Sequence, residues 1–583
     1  MPHPKQKTET YNVAGGLNLK ASKYLTSENE LLELKNMHFP ILGALEKRPG
    51  SSFYLGATVA GQVGGIYQFE KLSGASYLIA GANTNLYSVT SSWNSVRSGL
   101  LNNGIFSFIT FVDRLFAANG QDFFKFDGSA TTNYSLPPGS TAAGFGITAG
   151  FTSSITGLSG AFIAGYGYLN DRSYFGPSSP GVTLSLNGVS YNTIIYSGLS
   201  VPSGYGITAI AFYRTEPGGE IMFGTTLIPS SGAGATYVDV SPTGTRLAPS
   251  SVWFTLAPQY LEIYNNQLMM AGFSSMASTL YWSDVGEPES VQPESFAEFR
   301  TNDGDVIRGI KSYLGDHIVA KQRSVHKLSG EVPVNFSIQQ ITDQYGCISN
   351  NTMVVFQNYM AFLDSKGVVL YNGANIDLLS QKIEDIFLRM NVPAAINRAV
   401  GIHNRPSNEL WYSFPVDGAT MNNMTVVYDY VSQAWSTYEG FNPCALALAQ
   451  GSLSMPTPFY GSYTGSIAYF DDDIENDLGA AITCSIKSRY VSLMGQSTEQ
   501  QFRRLFLNVE PILGITQAID IHLFRNFSDT ASATYTMYQD PFQSRIDFGL
   551  PAKTMAVQFT HTSASLSLKV FGWTIESRYQ RSV

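Results

Sequence analysis

"YMAFLDSKGVVLYNG", residues 359–373, is an apolar strand, a Ser-Lys-Gly turn, and a second apolar strand that ends in tyrosine and a polar Asn-Gly turn. Aromatic and β-branched residues on both sides of a short Gly-containing turn read as a β-hairpin. The same phrase recurs along the chain: "YLIAGANTNLYSVTSSW" from Tyr77, "RLFAANGQDFFKFDG" from Arg114, "QLMMAGFSSMASTLYWSDVG" from Gln267 and "HIVAKQRSVHKLSG" from His317. It returns in "ELWYSFPVDGATMNNMTVVYDY" from Glu409 and "PFYGSYTGSIAYFDD" from Pro458. The second strand of each copy is anchored by Tyr87, Phe126, Tyr281, Lys327, Tyr371, Tyr428 and Tyr469 in turn. Most anchors lie about 40 to 57 residues apart, the spacing of β-propeller blades. The jump from Phe126 to Tyr281 is one blade plus an insertion of about 115 residues on that period.

The inserted stretch has its own pattern. "AFIAGYGYLNDRSYFGPSSPG" and "GITAIAFYRTEPGGEIMFGTTLIPSSGAGATYVDV" are alternating strands broken at Gly-Pro and Pro-Gly-Gly turns, the pattern of a small β-sandwich. Tyr213-Arg214 followed by Tyr237-Val238-Asp239 resembles fibronectin type III-like domains. After Asp477 the blade period stops, and longer alternating strands such as "FRRLFLNVEPI" and "AVQFTHTSASLSLKVFGWTIESRY" predict a second sandwich. In the N-terminal stretch, Ser27 with Glu30 three residues later, then Leu31, Leu32 and Leu34, predicts a capping box and a short helix. The expected fold is therefore all-β: a propeller with an inserted fibronectin type III-like sandwich, a C-terminal sandwich and an N-terminal arm with a short helix. The expected boundaries are 1–55 for the arm, 56–136 and 251–479 for the two propeller parts, 137–250 for the insertion and 480–583 for the C-terminal sandwich.

Composition narrows the chemistry. The 583 residues exceed what one hydrophobic core supports, so several domains are expected. Charged residues make up only 14%, aromatics 13%, and Asp and Glu (44) outnumber Lys and Arg (35) for a net charge of −9. Without a basic stripe, tight gripping of nucleic acid by phosphate neutralisation is disfavoured. The span from Gly128 to Asn170 holds no charged side chain, but Gly, Ser and Thr interrupt it throughout, so it is not a membrane-spanning helix and no membrane insertion is expected. Three cysteines, Cys347, Cys444 and Cys484, are odd in number and widely spread, which points to reduced thiols rather than a disulfide framework. The N-terminus, "MPHPKQKTETYNVAGG", lacks the apolar core of a signal peptide.

No residue set nominates a catalytic site, a cofactor or a metal. The seven histidines show no metal-ligand spacing, and His317 and His326 flank a hairpin turn where solvation is expected. "DDDIEND", Asp471 to Asp477, lacks the order and distal Glu of a calcium loop and reads as a solvated connection between propeller and sandwich. "WSDVGEPESV" from Trp282 departs from the sialidase Asp-box, because Ser283 and Asp284 are adjacent and no Thr-Trp follows Gly286. Neither a nucleophile elbow nor a phosphate-cradling loop occurs, and no carboxylate pair is singled out for glycoside hydrolysis.

The stretch "GGLNLKASKYLTSENELLELKNMHFPILGALEKRPGSSF", residues 15–53, resembles the opening of the tail nozzle (tail tubular protein B-like) family of short-tailed bacteriophages. The matching positions are Gly15, Gly16, Leu17, Asn18, Glu30, Asn36, Gly43, Leu45, Lys47, Arg48, Pro49 and Gly50; the family's Ser-Pro after the first motif is replaced by Ser22-Lys23. "LYWSDVGEPES", "DGDVIRGI", "SVHKLSG", "QYGCISNNTMVVFQNYMAFLDSKGVVLYNG" and "VVYDYVSQAWSTYEG" follow in the family's order. The resemblance implies a structural virion protein without enzymatic activity, assembled in the host cytoplasm. It would form a homo-hexameric ring that continues the DNA channel below the tail adaptor, closes it before infection, and carries fibres or spikes. DNA would pass without tight binding. In this reading the Lys47, Arg48, Pro49, Gly50 corner presents fixed cations to an adjacent subunit or the adaptor. The alternatives are a receptor-binding or glycan-processing phage propeller and, more remotely, a secreted adhesin.

Overall fold

The structure, a computed structural model, describes residues 6–579 except 90–91, 102–103, 142–144, 153–157, 233, 235, 241–243, 302, 451–454, 512–517 and 539–544. His3 and the rest of the first five residues lie outside the described set.

Seven four-stranded antiparallel blades form the propeller; five are separate sheets, and the sixth and seventh are continuous with C-terminal sandwich strands in one 15-stranded sheet. The first blade spans 63–97 and the second 107–133; after the insertion come blades at 260–298, 307–342, 354–378 and 400–438. The seventh takes three strands from 443–471 and its outer strand, Gly50–Thr58, from the other end of the chain, so this N-terminal strand closes the ring. All seven repeat anchors fall in the third strand of their blade, Tyr87 opposite Ala80 and Tyr469 opposite Phe459 for example. The repeat is thus one hairpin of each blade. Apolar clusters fill the spaces between blades: Phe69, Phe106 and Phe126 lie between the first and second, Trp411, Phe441 and Phe470 between the sixth and seventh, and the cluster between the fifth and sixth runs on into the C-terminal sandwich. Each sheet buries one face against each neighbour, which is why alternate positions on both faces are apolar.

The insertion is a two-layer sandwich, with one sheet holding Gly146–Gly150, Thr193–Ser197 and Tyr237–Asp239. The other holds Ser159–Asn170, Val182–Asn187, Ile207–Thr215 and Met222–Pro229. Its core is its own, centred on Phe162, Tyr166, Tyr196 and Phe212. Arg214 and Asp239, both buried, pair at 3.1 Å inside it.

The N-terminal segment is not a free arm. Gln6–Tyr11 pairs along the C-terminal strand Lys569–Tyr579, and Leu45–Lys47 pairs with the start of that same strand. Glu30–Lys35 adds to Ala480–Ser488 in the opposite sheet, and Lys35 also bridges to Thr437 of the sixth blade. Both ends of the chain therefore build the C-terminal sandwich, with Tyr11 stacked on Trp573 in its core.

The expected helix over 27–34 is a strand. Half of the capping box forms: the Ser27 N–H donates to Glu30 Oε2 at 3.2 Å, joined there by Asn18 Nδ2 at 2.7 Å. Burial would raise the Glu30 carboxyl, but these donors and Lys382 hold its pKa below the usual range. The turn opens into Glu30–Lys35 because Leu31 and Leu34 find fully buried places between two sheets. Tertiary pairing overrides local propensity here. Gly16 explains the Gly-Gly of the opening motif: at φ +68° its missing Cβ would stand 2.7 Å from Ala434 Cβ. Among the described residues the α-helices are at Glu384–Leu388 and Val392–Ala395, after the fifth blade.

Candidate functional site

Two places gather polar side chains by construction: the Lys-Arg-Pro-Gly corner and the axial channel.

At the corner the chain leaves the C-terminal sandwich at Lys47 and enters the closing strand at Gly50. The return crossing, from the seventh blade back to the sandwich, runs through 471–480 beside it. The Gly50 N–H donates to Ile474 O at 2.6 Å, and Ser51 bridges to Asp477 in parallel. Gly50 is required by this close approach, since a Cβ would lie 2.3 Å from Asn476 O.

Both cations of the corner are fully buried. Arg48 spends all five N–H donors: Nε on Asn36 Oδ1 (2.9 Å), Nη1 on Pro49 O and Asp477 Oδ1 (3.0 Å each), and Nη2 on Glu439 O (2.8 Å) and Asp477 Oδ2 (2.5 Å). Its guanidinium also lies over the rings of Tyr438, Phe441 and Phe470. Lys47 Nζ donates to the carbonyls of Glu475 (2.8 Å), Ser563 (3.0 Å) and Leu566 (2.9 Å) and faces Glu475 Oε2 at 3.1 Å. The expectation that Lys47 and Arg48 present cations to a neighbouring subunit is therefore corrected: every donor is used within the chain. The corner locks the two crossings together. Asn36, at φ 52°, is the hub that sequence reading placed in the motif without a role; its Oδ1 accepts from both Arg48 and the Glu439 N–H (2.8 Å). The "DDDIEND" segment is likewise only partly a solvated connection, because its last acidic residues are the corner's counter-charges.

The axial channel has a volume of about 740 Å³ and is lined by the innermost strands. Side chains stitch these strands to each other: Ser107 Oγ accepts from Leu261 N–H (3.0 Å), Asn350 Oδ1 from Ile310 N–H (2.9 Å) and Tyr67 OH from Thr110 N–H (3.1 Å). Lys311 pairs with Glu262 at 2.8 Å on the channel wall, and that carboxylate holds the Lys311 pKa above its usual value against the effect of burial. Between the sixth and seventh blades, burial pushes the Glu409 carboxyl up to about 7, against hydrogen bonds from Trp411 Nε1 (2.7 Å) and Tyr438 OH (3.2 Å).

Other singled-out residues have structural work. His317 and His326, expected in solvent, are buried; burial holds His317 down at about 3 and lowers His326. Asp284 of the Asp-box-like stretch accepts from Ser290 Oγ and Gln292 Nε2, both at 2.6 Å. Glu289, in the same loop, forms a buried pair with Lys125 of the second blade and accepts Asn170 Nδ2 of the insertion at 2.8 Å. The insertion is thus seated on the second and third blades through a buried polar contact. Cys347, Cys444 and Cys484 are free and buried, with burial raising their thiols to about 12, 11 and 12. Among the described residues, no group of three or more His, Cys, Asp or Glu is placed to hold a metal ion. Among the same residues, no helix is long and apolar enough to cross a membrane.

No protein-family model and no curated protein matches the chain. Solved structures similar to it include BBS1N in complex with ARL6DN, at 9% identity over 73% of this chain and 97% of that one, with a TM-score of 0.28. YCF48 bound to D1 peptide is similar at 9% identity over the same shares, with a TM-score of 0.30. The AfRom2 CNH domain is similar at 10% identity over 66% of this chain and 97% of that one, with a TM-score of 0.23. At such identities no residue role and no activity transfers, and the propeller rests on its own strand pairing.

Proposed function

We propose that the chain is a structural virion protein of a short-tailed phage, the nozzle subunit that assembles as a six-fold ring below the tail adaptor and continues the DNA channel. What carries the reading is the ordered set of family phrases, with the Gly-x-Leu-x-Lys-Arg-Pro-Gly corner foremost. That corner makes propeller and C-terminal sandwich one mechanical unit, which suits a subunit in a wall under load. In this reading tail fibres or spikes attach to the outside of the ring, and neither a cofactor nor an enzymatic step is involved.

A channel for a polyanion must not trap it, because each phosphate neutralised by Lys or Arg adds counterion-release affinity. The excess of 44 acidic over 35 basic residues fits a non-adhesive wall. The test is native mass spectrometry of the purified chain together with a duplex-DNA titration at physiological salt. Six subunits and weak DNA binding support the proposal. A stable trimer would favour the receptor-binding or glycan-processing alternative, and nanomolar, salt-sensitive DNA binding would overturn the conduit argument.

A further inference from the structure

Beside the corner, two adjoining cavities of about 390 and 320 Å³ share His38, Pro49, Pro406, Ser407 and Asp472. Together they form a groove between the turn that follows Asn404 in the sixth blade and the loop that leaves the seventh. Its charge is one-sided. Asp471, Asp472 and Asp473 line it and make no ion pair among the described residues. Cations close by are turned elsewhere: Lys47 and Arg48 have no donor left, Lys569 is shared between Glu46 and Glu510, and Arg405, next to Pro406, lines the axial channel instead. Burial keeps His38 neutral, with its pKa lowered to about 4. Burial first, and then the flanking Asp471 and Asp473, raise the Asp472 carboxyl.

A second observation is independent of the aspartates. Asn404 lines the groove and is 4% exposed; its Nδ2 faces Glu409 at 3.5 Å, while its Oδ1 is buried and has no hydrogen-bond partner. A buried acceptor left unpaired costs stability unless a donor arrives. The walls are apolar: Pro406, Pro456, Pro458, the Trp411 ring and an exposed Met455.

We infer that this groove docks a basic, extended segment of a partner protein, with the stem of a lysine or arginine between the prolines and its head group donating to Asn404 and the aspartates. Three features set the class. An orphan acceptor beside unpaired carboxylates calls for a cation that donates hydrogen bonds. Apolar walls match the methylene stem of a long basic side chain. A bare metal ion is the poorer fit, since no three His, Cys, Asp or Glu converge among the described residues. The inference does not depend on the nozzle reading.

The test is fluorescence anisotropy of labelled hexa-arginine against the full chain at two salt concentrations. Three proteins are compared: wild type, Asp472→Asn/Asp473→Asn, and the control Glu294→Gln/Glu298→Gln/Asp343→Asn on the far blades. Both sets replace exposed carboxylates with amides of the same size, so folding is retained and checked by melting. One-to-one binding that weakens at least tenfold in the groove variant and less than twofold in the control supports the site. Equal weakening in both variants shows a diffuse attraction to an acidic protein and overturns it. Displacement of the peptide by equimolar calcium or spermidine also overturns it, because the groove would then take a small cation rather than a protein segment.

Discussion

The two sandwiches of this molecule are alike in architecture and opposite in how the chain makes them. The inserted one is contiguous: its strands follow one another from Gly146 to Asp239, and its core is its own apart from Leu136, the residue that leads into it. The C-terminal one draws strands from both ends of the chain, with Gln6 opposite Arg578 and Leu31 opposite Ser488. The first can complete its core without the propeller. The second is finished only when the ring-closing strand beside it is in place, so sandwich and ring are coupled by the path of the backbone. The first is seated on the propeller by the hydrogen bond from Asn170 to Glu289, a carboxylate already paired with Lys125 of the second blade, and the second is fastened by the buried Arg48–Asp477 pair.

The largest expected effect comes from removing the N-terminal contribution. Deleting residues 1–50 takes Gln6–Tyr11, Glu30–Lys35 and Leu45–Lys47 from the sandwich and leaves Asp477 buried without Arg48. We expect no cooperatively melting protein, measured by circular dichroism on whatever is soluble. A truncated chain that melts sharply would mean that the N-terminal strands are ornaments on an independent sandwich, and the contrast drawn above would be lost.

Arg48→Met tests the same coupling with one side chain. Breaking a buried pair by removing one partner costs about 3–5 kcal/mol, because the remaining charge is stranded. Denaturant unfolding should show a loss of that size, and adding Asp477→Leu should recover part of it. If the double variant is no better than the single, the hydrogen bonds to Asn36 and Glu439 matter more than the charge of Asp477.

The insertion's seat should be weaker than the corner. Asn170→Ala deletes one donor to the buried Glu289, and the acceptor of the Arg172 and Tyr174 N–H groups, while Lys125 stays paired, so about 1–3 kcal/mol is expected, the cost of leaving a buried polar group short of a partner. Limited proteolysis should then cut within 137–250 before the blades. A loss as large as that of Arg48→Met would show that the contiguous sandwich depends on the propeller as much as the other does.

The same contrast decided what could be read from the sequence. Blade hairpins were legible because each anchor, Tyr371 for instance, pairs with a strand only a few residues away, at Met360. The inserted sandwich was legible for the same reason. The burial of His317 and His326 was missed within neighbouring strands, against Tyr264 and Phe299, but the larger failures involved partners more than 400 residues distant. Leu31 and Leu34 look helical until the strand at Ala480–Ser488 is beside them, and Lys47 and Arg48 look like surface cations until Glu475 and Asp477 arrive. The "DDDIEND" segment carried that signal, since a dense acidic run elsewhere in a charge-poor chain is a candidate counter-charge for a Lys-Arg corner. The orphan Oδ1 of Asn404 had none, because a lone Asn after a strand does not reveal what surrounds it.

The smallest expected effect separates burial from connectivity. Lys20 and Glu384 form an ion pair at 2.7 Å that, like Arg48–Asp477, ties the N-terminal segment to a distant part of the chain. The two side chains are 56% and 41% exposed, against 0% and 10% for the corner pair. In water the Coulomb gain is small and the cost of fixing two long side chains offsets it, so exposed pairs contribute about 0–1 kcal/mol. Lys20→Met should shift the unfolding midpoint by no more than about 0.5 kcal/mol equivalent on that scale. If it instead costs as much as Arg48→Met, linking distant segments would be what stabilises this protein wherever the link lies. A negligible change leaves the buried corner as the fastening, and places its strength in the enclosure that Tyr438, Phe441 and Phe470 provide around the guanidinium.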